Sequence, residues 1–125
     1  MMELMIVIVV VAILISLAYP SYVGYTRKAK RGEAQQLLMN WSINQEIWRS
    51  NNPSYSTDDG MKPADTNNYE FAATASATAY TLTATAKGDQ LNDKARSGWT
   101  CSPLALTSTG NKYSGGDTTK SDCWE

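Results

Sequence analysis

At 125 residues with a formal charge of −1, the chain supports one modest globular domain and carries no overall excess of either charge. It has no histidine, so Ser-His-Asp and Cys-His triads are excluded. Its two cysteines, Cys101 and Cys123, are too far apart for a CxxC redox motif and too few for a four-ligand zinc site.

The first predicted element is an apolar helix. Glu3 opens the run, Leu4 to Ala18 follow without a charge, and Tyr19-Pro20 closes it. A secretory signal peptide needs a basic stretch ahead of the run and a small-residue cleavage site after it, and neither is present. A buried core helix is rarely uncharged over such a length at a terminus. A membrane anchor fits better, although the run falls slightly short of the ~20 residues of a usual spanning helix. Tyr19, Tyr22 and Tyr25 form a loose stripe suited to an interfacial aromatic belt. An ionised carboxylate beside hydrocarbon is costly unless it stays at the interface or finds a partner. Glu3 is therefore a headgroup-level charge or a docking device.

From Pro20 the helical pattern continues to about Arg49, and Asn51-Asn52-Pro53 ends it. Pro20 removes one backbone bond inside this pattern and predicts a kink; Gly24 and Gly32 are further weak points. Ala34, Leu37, Leu38, Trp41 and Trp48, with Ile47 beside them, mark the apolar face; Arg31, Gln35, Asn40, Ser42 and Glu46 mark the solvated one. The cluster Arg27, Lys28, Lys30 and Arg31 reads as a solvated or headgroup-facing segment. It conflicts with the positive-inside rule if the C-terminal part is exported.

Residues 53–68, rich in turn formers, predict an exposed connecting loop. Tyr69 to Thr74 reads as a first strand, and Tyr80 to Lys87 alternates as a second, with Tyr80, Leu82, Ala84 and Ala86 on its buried face. The short link Ala75 to Ala79 makes them a hairpin. Gly88-Asp89 starts a turn; Trp99-Thr100-Cys101 and Leu104 to Thr107 are short strand candidates interrupted by Pro103. After Gly110-Asn111 the chain predicts a floppy segment unless Cys123 ties it back. In an exported chain two cysteines read as a disulfide, worth roughly 3 kcal/mol for a loop of about twenty residues. The order, helix and then meander, is α+β: a long kinked N-terminal helix on a small antiparallel sheet. Its segments are 1–26 (apolar helix half), 27–52 (amphipathic helix half), 53–68 (connecting loop), 69–108 (sheet) and 109–125 (C-terminal loop).

The search for chemistry is negative. Asp58, Asp59 and Asp65 lie in a polar loop without EF-hand spacing, so they read as solvated rather than catalytic or calcium-binding. Gly115-Gly116 is followed by an acid and is no phosphate loop. No enzyme, cofactor or metal is expected. Lys94, Arg96, Lys112 and Lys120, together with Lys87, scatter among the aromatics Trp99, Tyr113 and Trp124, which makes the first four a candidate ligand surface. Asp89, Asp93, Asp117 and Asp122 interleave with them, so direct DNA contact is the secondary reading and the aromatics read as core or subunit contacts.

Glu3-Leu4-Met5-Ile6-Val7, the β-branched run after it, Ala18-Tyr19-Pro20-Ser21-Tyr22 and the Glu3-to-Pro20 spacing together resemble the N-terminal segment of type IV pilins. Trp99-x-Cys101 and Asp122-Cys123-Trp124 resemble, less specifically, a short minor-pilin subfamily that includes a DNA-uptake receptor. The resemblance implies a pilin fold with a disulfide-closed C-terminal loop and a subunit of a bacterial pilus filament. It further implies an inner-membrane stage in a Gram-negative cell, a prepilin peptidase and assembly machinery as partners, and an extracellular end state. Glu3 would pair with the terminal amine of a neighbouring subunit, and Pro20 would be where the helix bends. It also implies a basic, Gly-terminated leader and a Phe-Thr-Leu ahead of Met2-Glu3, with Met1 standing where the family has Leu. Two alternatives stay open: a minor pilin acting as a DNA or surface-ligand receptor, and a type II secretion pseudopilin.

Overall fold

The protein was analysed as a computed structural model, which describes residues 1–57 and 60–124. Asp58 and Asp59, placed in the polar loop by sequence, lie outside the described residues.

A single helix, α1, runs from Met2 to Asn51 and continues unbroken through Pro20. Pro20 lacks the N–H that would reach the Ser16 carbonyl. Up to Thr26 no side chain of α1 is buried. From there the helix packs on β2 and β3 through Arg31, Ala34, Leu38, Trp41 and Gln45, which recur at three- and four-residue intervals and so share one face.

Four strands follow: β1 (Tyr69–Ala75), β2 (Tyr80–Ala86), β3 (Leu104–Thr107) and β4 (Lys112–Ser114). They form one antiparallel sheet in the order β1-β2-β3-β4. Alternation sets which side chains face the helix. Tyr80, Leu82, Ala84 and Ala86 of β2 are buried, as their period of two requires. The register opposes Phe71 to Ala84 and Leu82 to Leu106. These residues join Leu38, Trp41, Tyr69 and Leu104 in one core. The alanines of β2 keep the sheet side low, which leaves room for Trp41 and Phe71.

The structure departs from the sequence reading at several points. Ile47 and Trp48, assigned to the apolar face, are 59% and 37% exposed, and Gln45 is buried instead. The helix face continues through position 45, and the Gln45 amide can be buried because the Ser56 backbone satisfies both of its ends (2.6 and 3.0 Å). Residues 53–68 are not uniformly exposed: Tyr55 and Met61 pack against the core, and Tyr55 meets the Tyr80 ring edge-on. Trp99-Thr100-Cys101 is no strand; Thr100 makes only an isolated bridge with Lys94. The span 88–92 is a short 3₁₀ turn, η1 (Gly88–Asn92).

From Asn111 to Trp124 the chain holds defined structure. Strand β4 pairs with β3, and a second 3₁₀ turn, η2 (Asp122–Trp124), carries Cys123 back to Cys101. Gly115 shows why this lobe needs its glycine. Its φ is +66°, and a Cβ there would come within 2.7 Å of the Trp99 indole nitrogen and 2.8 Å of the Thr100 methyl.

Candidate functional site

Two regions bear on function: the free half of α1 with the polar clamp below it, and the C-terminal lobe. The free half contains an 18-residue stretch of mean hydropathy 2.7, with none of it buried. Leu4 to Val11 are exposed throughout, and Glu3 at their mouth makes no ion pair with any described residue. Pro20 lies near the head-proximal end of this half, seven residues before the first contact between charged groups.

That contact begins a ladder. Arg27 donates to both oxygens of Asp89 at 2.8 and 3.1 Å. One turn on, Nη1 of Arg31 donates to both oxygens of Asp93 at 2.9 and 3.0 Å. Helical i,i+4 spacing puts Arg27 and Arg31 on one side, and Asp89 in η1 and Asp93 just after it stand at the same separation in sequence. The rungs differ in setting. Arg27–Asp89 faces solvent, and the guanidinium holds the Asp89 carboxyl below the usual carboxylate range. Arg31 is 7% exposed and Asp93 5%. Burial pushes the Asp93 carboxyl up, against the opposing pull of Arg31.

Between the rungs, Gln90 donates to the Arg27 carbonyl and the Tyr69 hydroxyl, both at 2.8 Å. Tyr69 is pushed up to about 12 by burial. The same helix face reaches the disulfide. Arg31 Nη1 lies 3.1 Å from Cys101 Sγ, and the Gln35 side-chain amide donates to the Cys123 carbonyl. Cys101 and Cys123 are bonded to each other and buried.

Sequence reasoning placed Arg31 on the solvated face, and this is corrected: its charge is buried because Asp93 lies opposite. The available signal was the shared four-residue spacing of 27/31 and 89/93.

In the C-terminal lobe, Trp99 and Trp124 are partly buried against the core, and their indole N–H groups donate to the carbonyls of Ser114 and Tyr113, both at 3.0 Å. Lys120 lies 5.5 Å from the Trp99 ring centre and Lys112 5.7 Å from that of Trp124. Both distances fall within cation–π range. Lys94 sits beside this pair through its bridge to Thr100, and Arg96 lies in the turn closed by Ala95 and Trp99. The fold thus gathers Lys94, Arg96, Lys112 and Lys120 around one lobe, and none of them is in an ion pair among the described residues. The interleaved acids have partners of their own, although Asp117 also feels the charge of Lys120. Asp89 and Asp93 face α1, Asp117 accepts from Thr119 of its own turn, and Asp122 accepts from Ser97.

Comparison with known proteins agrees with this architecture. Residues 20–105 match the family described as type IV minor pilin ComP, DNA uptake sequence receptor. A solved structure, a type IV pilin from Shewanella oneidensis, is similar at 24% sequence identity with a TM-score of 0.60, covering 79% of this chain and 98% of that one. No curated protein gives a significant match. That likeness shows the shared fold, a long helix laid on a small antiparallel sheet. The matched family segment spans well over half the chain, from Pro20 through the clamp and into β3, and the chain belongs to the ComP family of type IV minor pilins.

Proposed function

We propose that residues 1–26 hold the chain in the inner membrane of a Gram-negative cell, and that prepilin peptidase and the pilus assembly machinery then move it into an extracellular filament. The observation that carries this reading is the asymmetry of α1: an exposed apolar half joined to a head that buries its own core. In lipid the exposed half is satisfied, because its backbone is bonded internally and its side chains are apolar. In a filament the same half is covered by the helices of other pilins.

Glu3 sets register in that bundle by pairing with the terminal amine of a neighbouring subunit. A misplaced subunit would leave the carboxylate unpaired in a dry setting, at a cost of several kcal/mol. Pro20 is where the helix adjusts as it changes environment. The family and fold are those of structural proteins, and we assign no catalytic role. In cells that express the pilus system, Glu3→Gln should insert normally but reach the sheared-filament fraction poorly. Recovery at wild-type level would overturn the role of Glu3.

A second reading has its own support. The matched family is described as a DNA uptake receptor, and the clustering of Lys94, Arg96, Lys112 and Lys120 beside Trp99 and Trp124 suits phosphate neutralisation. Four phosphate contacts would give a log–log salt slope of about −3.6 on duplex DNA. Retention on DNA that is absent even at low salt would dismiss this reading. Retention whose slope shrinks by about one per lysine removed would support it.

A further inference from the structure

We infer that the cleft between α1 and η1, at the junction of apolar half and head, binds the phosphate of an anionic phospholipid while the chain is in the membrane. This rests on the membrane reading above and gives that stage a specific ligand. Tyr19, Tyr22, Val23, Arg27 and Lys30 line the cleft from α1, Asp89 closes it from η1, and its volume is about 160 Å³. At about 100° per residue, Lys30 stands within about 20° of the line through Tyr19, and Tyr22 and Val23 flank that line. The cleft is therefore aromatic and apolar below and cationic above. A phospholipid of the head-side leaflet has the same order, acyl chains below and phosphate above.

The depth also matches. Met2 to Val23 measures roughly 32 Å of helix, close to the ~30 Å hydrocarbon core of a bilayer. Arg27 and Lys30 lie about 6 and 10 Å beyond Val23 along the axis. Helical side chains lean toward the N-terminus, so both cations reach back into the headgroup layer. Tyr19 and Tyr22 are exposed at the boundary below them, where aromatic side chains are favoured.

Charge selects the ligand. Of the four cations from Arg27 to Arg31, Arg27 pairs with Asp89 and Arg31 with Asp93. Lys28 and Lys30 form no ion pair among the described residues. Lys28 points about 160° away from Lys30 and so lies outside the cleft. Glu33 stands near Lys30 on the side away from the cleft and does not pair with it. Asp89 feels the charge of Lys30, but both of its oxygens are taken by Arg27. That rung is neutral as a unit, and Lys30 leaves the cleft with a net positive charge for a phosphate to match. A zwitterionic headgroup brings an ammonium beside its phosphate, which Lys30 repels. An anionic headgroup brings none.

The test uses the full-length chain reconstituted in phosphatidylcholine bilayers with a trace of spin-labelled lipid. Labelled phosphatidylglycerol should be held at the protein about fivefold more tightly than labelled phosphatidylcholine, and Lys30→Gln should remove most of that preference. Lys28→Gln should keep it. Both lysines are free of ion pairs, so the head should unfold at the wild-type midpoint in either variant. Equal loss in the two variants would mean diffuse attraction and overturn the site. Asp89→Asn frees Arg27 for the phosphate and should raise the preference; a fall would overturn the site as well. Displacement of the labelled lipid by excess inorganic phosphate would overturn the lipid assignment. A chain that does not enter bilayers would remove the membrane reading itself. A chain that enters them without lipid preference would remove the site alone.

Discussion

Between Met2 and Val23, α1 exposes its side chains to whatever surrounds it, whereas between Arg31 and Gln45 every third or fourth side chain is sealed against the sheet. One continuous helix thus has two sources of stability. The head half is held by its own chain: Leu38 and Trp41 pack on β2 and β3, and Arg31 and Gln35 reach the C-terminal lobe. The free half has no such partner among the described residues, and lipid or other subunits must supply the burial. A substitution should therefore act on folding in one half and on assembly in the other.

The largest effect on the head is expected at the buried rung. Arg31→Met leaves Asp93 buried without its counter-charge, at a cost of about 3–5 kcal/mol in denaturant unfolding. The exposed neighbour Lys28→Met should be near neutral. Leu38→Ala should cost about 2–5 kcal/mol. Leu14→Ala, in the free half, should leave head unfolding unchanged, and a matching loss at both positions would erase the distinction between the halves. Opening the disulfide with Cys101→Ser should cost roughly 3 kcal/mol and loosen the segment after Gly110, read as faster amide exchange in β4 and η2.

The smallest effect lies at the exposed rung and is read through pH. The Asp89 carboxyl is depressed by Arg27, so its contribution is present above the unfolded value near about 3.9 and is lost as pH falls through the folded value. Asp65 and Asp117, also depressed, have the same sign, whereas Asp93, raised by burial, works in the opposite sense. Asp89→Asn should therefore flatten part of the acid loss seen in wild type. An unchanged acid profile would show that the outer rung contributes nothing.

What could be read from sequence follows the same division. The free half was legible because an uncharged run with one acid and one proline has few physical meanings. Strand β2 was legible because Tyr80, Leu82, Ala84 and Ala86 alternate cleanly. The clamp was not legible: Arg31 and Gln45 are polar, and only their partners, Asp93 and the Ser56 backbone, make burial tolerable. Periodicity finds apolar faces and is blind to a buried charge whose counterion lies sixty-two residues away. Strand β4 escaped for a related reason. Its three residues carry little pattern, and its order comes from pairing with β3 and from the Cys101–Cys123 bond. The basic cluster of the C-terminal lobe was visible as residue types but not as a surface, because only the fold sets Lys94 opposite Thr100 and Lys120 over the Trp99 ring.

The difference between the halves is tested most directly by Val11→Asp, a charge placed in the free half far from the head. Full-length protein carrying it should unfold at the wild-type midpoint in detergent, yet be missing from filaments sheared from cells that incorporate wild type. A Val11→Asp chain recovered from filaments as efficiently as wild type would contradict the assignment of the free half to assembly.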